Sequence, residues 1–135
     1  MTRDKMREIL MQLFFQEEAQ KDMEDGAASD YINSNVKGKA NKEYAQKIFS
    51  LLRDHKEEID AEIEKSSRHW SVKRMAKIDL AVLRVAATEI LFAEETPDAV
   101  SANEAVELAK KFGTDKSASF VNGVLGKLIK NKNDA

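Results

Sequence analysis

Residues 41–65, NKEYAQKIFSLLRDHKEEIDAEIEK, place Tyr44, Ile48, Leu51, Leu52, His55, Ile59 and Ile63 along one stripe of a helix. Apolar residues recurring at three and four over that length cannot be a strand, whose faces alternate with a period of two. The same period returns along the chain. Met6, Ile9, Leu10, Leu13 and Phe14 mark a helix over 4–22, and Tyr31 and Ile32 a short one after Gly26. Ile78, Ala81, Val82, Val85, Ala86, Ile90 and Leu91 mark a more apolar helix over about 75–93. Its alanines and valines predict close packing on several sides. One proline and five glycines in 135 residues are too few for many short strands joined by turns.

Helix ends are read from capping chemistry. Asn41 is the expected N-cap of the long helix, after a loop over 33–41. Ser101 and Glu104 fit a capping box that opens a helix through Lys111, and Gly113 is its expected stop. SSRHWSV (66–72) interrupts the periodicity and divides the chain into an N-terminal unit of about 1–67 and a C-terminal unit of about 68–135. Asn122-Gly123 is a turn signal, yet Phe120, Val124 and Leu128 fall at helical spacing around it. The helix prevails, over about 116–130, and Gly123 is expected to serve close packing or a ligand. The fold class is therefore all-α, with six or seven helices and no strand.

Chemistry is sparse. With no cysteine, disulfides, thiolate metal sites and a Cys nucleophile are excluded. His55 and His69 stand in no metal-binding or di-iron pattern, and no Gly-rich phosphate loop or nucleophile elbow occurs. Arg84 and Glu89 sit inside the most apolar helix and read as structural ion-pair partners. The chain reads as a binding module, not an enzyme, and no cofactor is expected. No signal peptide or membrane span is read, so the cytoplasm is the expected compartment. The formal net charge is −2, but residues 1–65 hold 11 Lys/Arg against 15 Asp/Glu, while 66–135 hold 11 against 9. The second half is thus the more basic.

Three segments carry a resemblance. DLAVLRVAATEILF (79–92), VSANEAVELAKKFG (100–113) and SFVNGVLGKL (119–128) hold Leu83-Arg84, Ala86, Glu89, Asn103 to Lys110, Phe112 and Phe120 to Leu125. In order and spacing these are similar to the NusB family of transcription antitermination factors. REILMQLFFQ (7–16) resembles the family's opening helix more loosely.

The resemblance implies two packed three-helix units without a catalytic site. It also implies binding to boxA RNA of ribosomal RNA leaders together with the small-subunit protein NusE, and through them action with other Nus factors on RNA polymerase. The RNA-binding positions it implies are Arg3, Lys5, Arg7, Lys116 and Phe120. The NusE-binding positions it implies are Phe15 and Asp79. The residues themselves leave Phe120 open, as core or as an RNA-facing ring. Asn122 is expected to make a structural hydrogen bond. Two alternatives stand beside this reading. One is a NusB-like module or fragment of a ribosomal RNA methyltransferase, and the other is a homodimeric helical scaffold.

Overall fold

Each apolar period becomes a helix in the computed structural model, which describes residues 1–21 and 23–134. The helices are α1 (Arg3–Ala19), α2 (Asp25–Asn35), α3 (Lys39–Ser66), α4 (Lys77–Phe92), α5 (Asp98–Phe112) and α6 (Ser117–Asp134), with a 3-10 turn at Val72–Arg74. No strand occurs among the described residues. The first helix stops at Ala19, short of the expected limit at residue 22, which itself lies outside the described residues.

The all-round apolar character of α4 has a direct consequence. A helix without a polar face must be buried. It packs against α1, α3, α5 and α6. Leu80, Ala81, Val82, Leu83, Val85, Ala86, Ala87 and Ile90 are all buried in one continuous core with Leu10, Phe14, Ile48, Ile59 and Leu125. Burying each Val, Leu or Ile contributes about 1.5–3 kcal/mol, so α4 is the element around which α1, α3, α5 and α6 assemble.

Two expected caps are corrected. The long helix starts at Lys39 after Gly38, whose φ of +91° lies where glycine is favoured. Asn41 therefore sits inside the first turn, and its Nδ2 donates to the Met1 carbonyl at 2.9 Å. Likewise α5 starts at Asp98 behind Pro97, and proline's fixed φ suits a helix start. Ser101 is then interior and 2 % exposed, and its hydroxyl donates to Glu89 Oε2 at 3.1 Å. Gly113 does end α5. A Cβ there would collide with the Ser117 side chain and lie 2.8 Å from the Ala109 carbonyl oxygen. The missing side chain lets the α5–α6 turn close, with the Thr114 N–H donating to Ser117 Oγ at 2.9 Å.

In α6, Val121, Val124, Leu125 and Leu128 face the core. Asn122 and Gly123 lie on the opposite, exposed face. The expectation of close packing at Gly123 is corrected, because a Cβ there would meet nothing within 4 Å. Close packing therefore does not account for its helix cost of about 1 kcal/mol against alanine. Asn122 is corrected with it, since an exposed side chain needs no structural partner.

Candidate nucleic-acid interface

Two arginines are fixed inside the helix bundle, and they define what is left for a surface. Arg7 on α1 is 3 % exposed. Its Nε and Nη2 donate to Glu89 of α4 at 2.7 and 3.1 Å. The Tyr44 hydroxyl of α3 donates to the same carboxylate at 2.8 Å. With Ser101, Glu89 thus ties α1, α3, α4 and α5 together. Burial pushes the Tyr44 phenol up to about 12, so it stays a proton donor. Arg84 of α4 makes a two-pronged contact with Asp60 of α3, at 3.0 and 2.8 Å, and reaches Glu18 of α1 at 2.8 Å. Arg84 and Glu89 of the apolar helix are therefore structural.

This geometry corrects Arg7 as an RNA-binding residue: its charge is buried and committed to Glu89. Arg3 is half-buried, with its guanidinium carbon 4.1 Å from the centre of the Tyr44 ring, a cation–π contact. Lys5 is exposed, but its Nζ lies 2.6 Å from Glu8 Oε2. Lys111 at the end of α5 donates to the other oxygen of Glu8 at 2.8 Å.

These two hydrogen bonds hold the Glu8 carboxyl below the ordinary value of 4.5. The folded state favours the ionised form, so this contribution is complete above that value and is lost as pH falls through the folded-state one. Urea midpoints measured from about pH 6 down to about pH 3 are expected to fall, and Glu8→Gln is expected to flatten the fall. An identical pH profile in the variant would remove Glu8 from the account.

Lys116 and Phe120 do come together. They line one hollow with Trp70, Arg74, Asp79 and Asp115, where α6 meets the segment between α3 and α4. Phe120 is half-buried, so neither open reading holds whole: one part of the ring packs on the core and the other borders the hollow. Trp70 is 53 % exposed, the most exposed large apolar side chain of the chain's described residues. Lys116 and Arg74 make no ion pair among the described residues. Asp79 is 9 % exposed, and its Oδ1 is buried without a hydrogen-bond partner.

Phe15 lies elsewhere. It lines a shallow groove with Gln12, Gln16, Tyr31, Ile78 and Phe112. The expected Phe15–Asp79 pair is thus divided between two surfaces, because successive residues Ile78 and Asp79 of α4 point to different faces. Sequence reasoning missed Trp70 and Arg74. They sit in the segment that served only as a boundary, yet SRHWSVKR interleaves an aromatic with four basic side chains if His69 is included. That pattern was the available signal.

Among the described residues no group of His, Asp and Glu is arranged to hold a metal ion, and no helix is long and apolar enough to cross a membrane. The hollow thus sets two aromatic rings and two cations beside two carboxylates on an all-helical scaffold without a catalytic arrangement among the described residues, the class of a helical binding module. The chain belongs to the NusB family, whose pattern matches residues 4–130. It is 40 % identical to the transcription antitermination protein NusB of Clostridium botulinum (strain Hall) over 144 aligned positions, spanning 96 % of this chain and all of that one. A crystal form of Thermotoga maritima NusB ("T. maritima NusB, P3121, Form 2") superposes with a TM-score of 0.86 at 31 % identity, covering 96 % of this chain and 92 % of that one. A chain from a crystal structure of the antitermination factors NusB and NusE with double-stranded RNA superposes at 0.84, with 27 % identity and 96 % of each chain covered.

Proposed function

We propose that this protein is an RNA-binding transcription antitermination factor of the cytoplasm. It binds boxA RNA together with NusE, and through them acts with other Nus factors on RNA polymerase. The observation that carries the RNA surface is the hollow of Trp70 and Phe120 rimmed by Lys116 and Arg74. Unpaired bases stack on exposed rings, while lysine and arginine take phosphates. Asp79 borders this hollow, but its orphan Oδ1 is buried and offers no acceptor to a base, so Asp79 stays in the NusE set. Arg3 and Lys5 stay as outlying phosphate contacts. Phe15 stays in the NusE set, as an aromatic anchor in the groove beside Ile78 and Phe112.

A gel shift with boxA RNA, NusE and both together tests this. The complex is expected to form most strongly with both, and to weaken as salt rises. Trp70→Ala is expected to weaken RNA binding about tenfold with no change in melting temperature, because the ring is exposed. Phe15→Glu is expected to remove the NusE effect and leave binding of RNA alone unchanged. A wild-type chain that shifts no boxA RNA, with or without NusE, would overturn the proposal.

A further inference from the structure

We infer that bound RNA continues past Phe120 into a second groove, where Lys65, Arg68 and Lys127 hold backbone phosphates across the bare helix surface at Gly123. This rests on the proposed RNA function and specifies the path of the strand.

The groove lies between the turn that ends α3 and the exposed face of α6. Among the described residues its charged lining residues are those three cations, with no carboxylate. None of the three makes an ion pair among the described residues, whereas Lys5, Lys47, Lys111 and Lys132 all do. The buried Ser66 hydroxyl at the groove wall also has no hydrogen-bond partner. Uncompensated cations around a concave surface attract a polyanion.

Continuity with the first hollow comes from two elements. Ser119 and Phe120 line both. So does the turn after α3: Arg68 borders the groove and Trp70 borders the hollow. That turn is strained, with φ of 58° at Arg68 and 65° at His69, neither of them glycine. It is held by the His69 N–H to the Glu64 carbonyl at 2.7 Å and by the Ser67 hydroxyl to the same carbonyl at 3.0 Å. The strain sets an arginine and a tryptophan on either side of one ring. A strand whose bases stack on Trp70 and Phe120 is thereby led, by its backbone, over Gly123. Side-chain atoms at 123 would occupy that path.

Three full-length variants test the path, with NusE present and boxA RNA in two lengths, a minimal element and one extended at both ends. Lys65→Gln/Arg68→Gln/Lys127→Gln is expected to reduce the slope of log affinity against log salt by about 2 on the extended RNA. Gly123→Gln is expected to weaken the extended RNA about tenfold while melting at or slightly above the wild-type temperature. The minimal element is expected to bind Gly123→Gln as it binds the wild type. Gly126→Gln, also in open space but outside the groove lining, is expected to bind both RNAs as the wild type does.

If wild type binds while the triple variant and Gly123→Gln keep its affinity and salt slope on the extended RNA, the path is wrong and the function stands. If these variants lose NusE instead of RNA, the groove docks protein and the inference fails. If wild type binds neither RNA, the proposed function fails first.

Discussion

Arg7→Ala is expected to lower stability by about 3–5 kcal/mol, measured by urea denaturation near neutral pH. The reason is the partner left behind. Glu89 is 1 % exposed, and loss of Arg7 leaves its carboxylate without the only cation that donates to it among the described residues. Tyr44 and Ser101 remain as neutral donors, which do not balance a buried charge. Burial works to lower the Arg7 pKa, but its hydrogen bonds to Glu89 and the carboxylate's charge outweigh it and hold it above the ordinary value. Arg7 therefore keeps its charge beside Glu89. Replacing both partners, as Arg7→Met with Glu89→Leu, is expected to cost far less than the sum of the single changes, since no unpaired charge remains. A loss below about 1 kcal/mol in Arg7→Ala would mean that water reaches Glu89 and solvates it.

Arg84→Ala is expected to be comparably severe, because two carboxylates lose their partner at once. Asp60 and Glu18 keep side-chain exposures of 16 % and 17 %, so they regain some water and the cost falls toward the lower end of about 3–5 kcal/mol. Arg84→Lys separates charge from geometry. Lysine keeps the charge but cannot donate through a planar fork to both oxygens of Asp60. Its denaturation midpoint is expected between those of wild type and Arg84→Ala. A lysine variant equal to wild type would show that charge alone joins α1, α3 and α4.

These two arginines also show how far the sequence could be read. Arg84 and Glu89 stand out in a helix of Ala, Val and Leu, and a polar residue in such a setting announces a buried pair. Their partners are not announced. Arg7 lies 82 positions from Glu89, and nothing local distinguishes it from Lys5 two residues earlier. One is sealed in the core and the other is exposed. The same holds for Trp70: its segment was legible as a break in periodicity, but whether its ring would pack or protrude depended on what α6 brought beside it.

The helix caps failed for a local reason of another kind. Ser101 and Glu104 have the spacing of a capping box, and Asn41 the chemistry of an N-cap. In each case a neighbour suited to the turn began the helix earlier, Pro97 through its fixed φ and Gly38 through a positive φ that other residues avoid.

The Asn122-Gly123 pair divides the two sources of information cleanly. Helical spacing of the residues around it was enough to reject a hairpin, because an apolar stripe is a local property that any helix must bury. What faces the other side is not local. Only the packed structure sets Gly123 on open surface between Lys65, Arg68 and Lys127, which come from elements more than fifty residues apart in sequence. The chain alone thus determined its helices and its family motifs, each carried by short-range pattern. The tertiary structure decided which cations are neutralised and which stay free, because ion pairing depends on distances between helices that no single helix encodes.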